Sequence, residues 1–237
     1  MAQAHSEWGL RGVETLRDRV AALVIVDVLS FSTAVDVAVA RGAAVFPFPF
    51  GDREAARAAA SAAGALLAEP RIAGNTALSL SPASLAGIAS GTRLLLPSPN
   101  GARLSLAGGA APVFTGCLRN ARAVAAAVRA VAGSDAVGVV PAGELWSDGS
   151  LRPAIEDLLG AGAIFDALDL PLSSEARLAR DAFRSAGEDL AAMIRGSTSG
   201  RELIDRGFDQ DVEFAVARDV STAAPVLRDG AYRNARG

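Results

Sequence analysis

Apolar residues fall along this chain in short dense runs broken by polar turns. Leu23 to Leu29 (LVIVDVL) is nearly continuous, as expected of a strand buried on both faces. Ser32 or Thr33 can cap a helix from Ala34 to Arg41, which Gly42 stops. The pattern then predicts a strand at Ala44–Phe48, a helix capped by Asp52 and ending near Gly64, a short strand at Ala65–Glu69, and a long loop over Pro70–Ser84. Further strands are expected at Leu94–Leu96, Val113–Thr115 and Ala136–Val140, with an Asn120-capped helix at Ala121–Val131 between the last two. Pro153–Leu168, Ser174–Arg195 with a break near Gly187, and Ser199–Arg206 read as helical. Asp209–Arg218 is ambiguous, and Ala224–Leu227 reads as an edge strand. Strands alternating with helices imply an α/β fold with a mainly parallel or mixed sheet, helices on both faces and a helix-rich C-terminal part. A single domain over residues 1–237 is expected, in which 151–210 could form a sub-lobe.

Composition narrows the chemistry. All 23 basic residues are arginine, so Schiff-base chemistry and a phosphate-loop lysine are excluded. The only histidine, His5, falls in an N-terminal segment expected to be mobile, which argues against a Ser-His-Asp triad, a histidine phosphatase or a polyhistidine zinc site. A single cysteine excludes an internal disulfide. The net charge is −3 with the two signs mixed, so no basic face marks a nucleic-acid binder. No signal-like segment and no apolar stretch of membrane-spanning length is apparent, which points to a cytoplasmic protein with no membrane partner. Carboxylates, arginines, hydroxyls, backbone amides and a hard metal ion remain as sources of catalysis.

Ligands of open α/β sheets gather at the carboxyl ends of strands, and several polar clusters fall there. Asp27 sits inside an apolar run, where a carboxylate is costly unless paired, capped or metal-bound. Glu69 ends the third strand, offers Mg²⁺ a second oxygen ligand, and is followed by Pro70 and Arg71. Ser98-Pro99-Asn100-Gly101 is a tight turn whose amides could converge on an anion. Gly116-Cys117-Leu118-Arg119-Asn120 joins a strand to a helix and also suits an anion. A tyrosine-phosphatase role for Cys117 fails on spacing, because Ala123 stands where that loop needs arginine, and the thiol reads as a half-buried small residue. Glu156-Asp157 opens a helix, with one of the pair expected to face inward.

In this order the segments Asp27-Val28-Leu29, Glu69-Pro70-Arg71, Leu80-Ser81-Pro82, Pro99-Asn100-Gly101, Gly116-Cys117-Leu118-Arg119-Asn120-Ala121 and Glu156-Asp157 before Ala161-Gly162-Ala163 resemble the 2-phosphosulfolactate phosphatase family, a Mg²⁺-dependent group of coenzyme M biosynthesis. Ser199-Gly200, Asp211-Val212 and Pro225-Val226 extend the resemblance, which runs from about Ala22 to Leu227. Ser30 stands where that family usually has arginine, Leu80 replaces an asparagine, Pro70 interrupts a Glu-Arg pair and Pro99 replaces a threonine.

The resemblance implies hydrolysis of a small anionic phosphate monoester, 2-phosphosulfolactate or a similar 2-phospho acid. It implies catalytic roles for Asp27, Glu69 and Asp157, and Mg²⁺ held by Asp27, Glu69, Glu156 and Asp157. Ser32, Thr33, Arg71, Asn100, Gly101, Gly116, Cys117, Arg119 and Asn120 would contact substrate. The expected partner is a small-molecule phosphate ester, and a homo-oligomer is plausible. A haloacid-dehalogenase-type phosphatase is disfavoured because Leu29 occupies the second aspartate position of Asp-x-Asp. The competing reading is a non-catalytic binder of a phosphorylated or sulfonated metabolite.

Overall fold

The computed structural model describes residues 3–235. In chain order its first half comprises β1 (Ala4–Ser6), α1 (Gly9–Leu16), β2 (Ala22–Val26), α2 (Phe31–Ala40), β3 (Ala44–Pro49), α3 (Arg53–Ala62), β4 (Leu66–Leu67), α4 (Pro82–Leu85), β5 (Arg93–Ser98) and α5 (Gly101–Leu106). The second half comprises β6 (Val113–Thr115), a 3₁₀ turn (Leu118–Asn120), α6 (Ala121–Ala132), β7 (Val137–Pro141), the short strands β8 (Glu144–Leu145) and β9 (Leu151–Arg152), α7 (Ile155–Leu168), α8 (Ser174–Ala186), a second 3₁₀ turn (Gly187–Asp189), α9 (Leu190–Gly196), α10 (Thr198–Asp205), α11 (Asp209–Val216), β10 (Pro225–Arg228) and β11 (Ala231–Asn234).

Nine strands form one mixed sheet in the order β1-β7-β2-β6-β10-β11-β3-β5-β4. Two parallel groups, β1-β7-β2-β6 and β3-β5-β4, are joined by the antiparallel hairpin β10–β11. Every residue of β2 is buried, because alternate side chains enter different cores. Ala22, Val24 and Val26 pack with α6, α7 and α8, while Leu23 and Ile25 pack with α2 and α5. β5 divides the same way: Leu94 and Leu96 face the second core, and Leu95 meets Ala56 and Ala60 of α3. Helices therefore cover both faces, as the alternating pattern predicts.

The sheet is strongly curled. Four strands lie between β2 and β5, which would separate them by about 24 Å in a flat sheet. Yet the Gly101 N–H, just past β5, donates to Asp27 Oδ2, just past β2, at 2.7 Å. The curl encloses Phe31 and Tyr232, whose rings meet edge to face at 6.1 Å, and the Tyr232 hydroxyl donates to Ser105 Oγ at 2.7 Å.

α7 is buried on nearly all sides between α6, α8 and the sheet. Glycine makes this possible: a Cβ at Gly160 would lie 2.6 Å from Val28 Cγ2, and one at Gly162 would lie 2.3 Å from the Ala179 carbonyl oxygen. The close approach sets the first turn of α7, with Glu156 and Asp157, against the end of β2. The helices after Ile155 share one core with the sheet through Phe165, Phe183, Ile194 and Val212.

Several sequence expectations need correction. His5 lies in β1, paired with β7, rather than in a mobile segment. The ambiguous stretch is helix α11. β10 is an interior strand, since β11 pairs with it on one side and β6 on the other. The sequence Ala-Tyr-Arg-Asn of β11 is too short and polar to announce that partner. The loop after Glu69 ends in a helical turn, α4, with Pro82 at its first position. Among the described residues no helix is long and apolar enough to cross a membrane.

Candidate active site

The carboxyl ends of β2, β5 and β7 meet at the amino ends of α2, α5 and α7. Asp27 is buried there and accepts from two backbone amides, Phe31 N–H to Oδ1 at 3.2 Å and Gly101 N–H to Oδ2 at 2.7 Å. Its own N–H donates to Ser32 Oγ at 2.8 Å. Ser32 Oγ also meets Thr115 Oγ1 at 2.7 Å, and Thr33 Oγ1 donates to the Val28 carbonyl at 2.7 Å. Both hydroxyls are thus engaged in shaping the Asp27 loop, and both residues are fully buried.

Asp157 ties two loops together. Its Oδ1 accepts from Val28 N–H at 2.7 Å and its Oδ2 from Gly143 N–H at 2.8 Å. Glu156 beside it is buried. A fourth carboxylate, Glu144 at the start of β8, enters the cluster: its Oε2 accepts from Asn100 Nδ2 at 2.8 Å. The Asn100-Gly101 dipeptide thereby fastens two acids, one through a side chain and one through the backbone.

Burial, with added repulsion from neighbouring acids, raises the proton affinity of Asp27, Asp157 and Glu144. Burial pushes Asp27 up to about 6, the Gly101 and Phe31 amides oppose it, Glu156 adds repulsion, and Arg71 draws it back. Asp157 is raised well above the carboxylate range by burial, then by Asp27 and Glu156. Glu144 rises to about 7, first from burial and then from Asp27, against the Asn100 hydrogen bond and Arg152. Ser30 Oγ and Ser98 Oγ, at the same strand ends, are buried without a hydrogen-bond partner among the described residues.

A cleft of about 510 Å³ adjoins this centre along the ends of β3, β4 and β5. Arg53, Arg71 and Arg206 line it, with Pro99 and Leu80. Arg71 is mostly buried. Its Nη2 donates to the Leu80 carbonyl at 2.6 Å, its Nε lies 3.7 Å from Asp211 Oδ2, and its guanidinium stacks 5.3 Å from the Phe208 ring. Asp211 in turn accepts from the Ser81 hydroxyl and the Ala83 N–H.

The structure brings together Asp27, Asn100, Gly101, Glu156 and Asp157, with Arg71 near enough for its charge to act on Asp27. Glu69 instead lines the cleft wall, where its side chain is 49% exposed and pairs with Arg53 Nη2 at 2.6 Å. The segment from Gly116 to Asn120 packs against the end of β2, with Asn120 Nδ2 buried and without a hydrogen-bond partner among the described residues. The Gly116 N–H donates to the Ile25 carbonyl, and a Cβ there would lie 2.7 Å from Ile164 Cδ1. Cys117 is fully buried rather than half-buried, its thiol pushed up to about 12 by burial and by Asp36. Arg119 Nε pairs with buried Asp36 at 2.9 Å and its Nη1 donates to the Phe214 carbonyl at 3.1 Å. Asn120 Oδ1 accepts from Cys117 N–H at 2.9 Å.

Sequence reasoning missed Glu144. An isolated glutamate after a strand and a glycine carries little signal, and its tie to Asn100 spans 44 residues.

A family model described as 2-phosphosulpholactate phosphatase matches residues 12–230. The chain belongs to the 2-phosphosulfolactate phosphatase family. It is 39% identical over 142 residues to the 2-phosphosulfolactate phosphatase of Methanothermobacter thermautotrophicus, covering 59% of this chain and 58% of that protein. It is 29% identical over 135 residues to a probable 2-phosphosulfolactate phosphatase of Pseudothermotoga lettingae, covering 56% of this chain and 57% of that protein. The aligned stretch thus spans less than two thirds of either relative.

Proposed function

We propose that this chain is a cytoplasmic, Mg²⁺-dependent phosphatase acting on a small anionic phosphate monoester, 2-phosphosulfolactate or a similar 2-phospho acid. The proposal rests on the meeting of Asp27, Glu156 and Asp157 beside an arginine-lined cleft of about 510 Å³. The names of its relatives point the same way.

The donor set suits a hard cation, because it offers oxygen alone. Each Asp27 oxygen accepts one backbone N–H, and a carboxylate oxygen keeps a second lone pair for a metal. Among the described residues no three acidic, histidine or cysteine side chains gather closely enough to enclose an ion. Mg²⁺ would therefore be held by one or two carboxylates, Asp27 and Glu156 foremost, with water and the substrate phosphate completing its shell. Bound there, it would supply charge neutralisation at the phosphoryl oxygens. Asp157 has both oxygens occupied by amides and holds the two loops in place.

The cleft arginines account for the remaining charge of such a substrate. Guanidinium groups bind phosphate, sulfonate and carboxylate oxygens through paired N–H donors. Arg71 is pre-positioned by Leu80, Asp211 and Phe208, so little side-chain entropy is lost on binding.

Phosphate release from 2-phosphosulfolactate and 2-phospholactate tests the proposal. Activity should vanish on chelation, return with Mg²⁺, and fall about 10²-fold or more in Asp27→Asn. Release no greater than that of Asp27→Asn across a panel of phosphate monoesters would overturn it. Saturable ester binding without turnover would instead favour a metabolite-binding protein.

A further inference from the structure

Glu144 lies outside the set of acids that the proposed function uses, yet the fold presents it to the same centre. It is the first residue of β8, in a two-stranded hairpin directly opposite Arg152 of β9. Asn100 Nδ2 holds its Oε2 at 2.8 Å. Its Oε1 makes no hydrogen bond to any described residue, and the side chain is half-buried. Asn100 continues into Gly101, whose amide grips Asp27. One rigid turn therefore fixes a carboxyl group with a free oxygen at a set offset from the carboxylate expected to meet the phosphoryl group.

The geometry points to Glu144 as the proton donor to the departing oxygen of the phosphate ester, a role that rests on the phosphatase proposal above. In this step water bonds to phosphorus as the ester P–O bond breaks, and the bonding pair stays on the ester oxygen. The Glu144 carboxyl proton transfers to that oxygen and frees the alcohol. A proton shed by the attacking water restores the carboxyl group, so ester and water give alcohol and hydrogen phosphate with Glu144 unchanged. Burial raises Glu144 to about 7, repulsion from Asp27 and Glu156 adds to the rise, and Asn100 and Arg152 oppose it. A useful fraction is thus protonated near neutral pH, as an acid catalyst requires.

The test compares leaving groups. An alkyl ester such as 2-phospholactate releases a poor alkoxide that needs a proton, whereas p-nitrophenyl phosphate releases a stable phenolate that does not. E144Q keeps the acceptor oxygen for Asn100, and it should lower kcat/KM for the alkyl ester about 10²–10⁴-fold while changing that for p-nitrophenyl phosphate only a few-fold. The fall in wild-type kcat/KM above about pH 7 should disappear in E144Q. In N100A, where the charge-stabilising hydrogen bond is gone, that fall should move to higher pH. Equal loss on both esters, no loss on either, or a raised Mg²⁺ requirement in E144Q would overturn the role. Melting temperatures matching wild type separate loss of chemistry from loss of fold, and N100A reads the same proton if E144Q folds poorly. A wild-type chain inactive on both esters overturns the phosphatase reading and this role with it, whereas uniform loss in an active enzyme overturns this role alone.

Discussion

The N–H of Val28 donates to Asp157 Oδ1 at 2.7 Å, so the residue after Asp27 is held by the residue after Glu156. With Gly143 N–H on the other oxygen, Asp157 closes a bridge between the ends of β2 and β7. Asp157→Asn would turn an NH₂ toward one of the two amide donors, losing one hydrogen bond and setting two donors against each other. Unfolding free energy should fall by about 2 kcal/mol or more, read by urea titration. Activity should fall as well, because Asp27 and Glu156 lose their common mount.

Gly101 answers two demands. Its amide serves Asp27, and a Cβ at this position would sit 2.3 Å from Phe31 Cδ1. Phe31 is fully buried and has no room to retreat. Gly101→Ala should cost about 1–3 kcal/mol and depress turnover together with stability, as thermal melts and steady-state rates on one preparation would show.

Glu69 offers a contrast. It is half-exposed and paired with Arg53 on the cleft wall. Such a pair contributes about 0–1 kcal/mol. If the proposed Mg²⁺ site is correct, Glu69→Gln should leave the Mg²⁺ concentration for half-maximal activity unchanged and shift KM at most a few-fold, because it frees Arg53 for the substrate. A large rise in the Mg²⁺ requirement would return Glu69 to the metal.

Arg119 and Asp36 form a buried pair outside the site. Removing one member strands the other, at about 3–5 kcal/mol. Arg119→Ala should therefore lower the melting temperature sharply while kcat per folded molecule stays near wild type. Asp36→Leu combined with Arg119→Met should recover most of the loss.

Cys117 should resist thiol reagents in the native protein at pH 8 and react once unfolded, as its burial raises it from 9.0 to about 12. The sign for stability follows. The fold favours the neutral thiol, so its contribution is intact below pH 9 and is lost as pH rises from 9 toward 12. Cys117→Ala should flatten that part of the stability–pH curve, measured by denaturant titration at successive pH values.

The parallel strands were legible because β2, β5 and β7 are apolar runs closed by turns, and those turns carry Asp27 and Asn100-Gly101. Local pattern also placed Glu156-Asp157 at a helix start. Long-range facts were not readable this way. The pairing of β10 with β6 depends on a four-residue neighbour with little pattern, and Glu144 belongs to the site only through Asn100. Arg119 shows the opposite failure: a glycine-led strand-to-helix joint suggests an anion site, but its guanidinium is occupied by an aspartate from α2 whose position no local motif reveals.

The hairpin of residues 225–234 is the only link between the two parallel halves of the sheet among the described residues. Both halves leave the ribosome before it does. Asp27 and Gly101 can be fixed against each other only once that late hairpin has zipped between strands made long before. Competence for chemistry should therefore appear only after residues 225–234 have been made and paired, rather than growing with chain length.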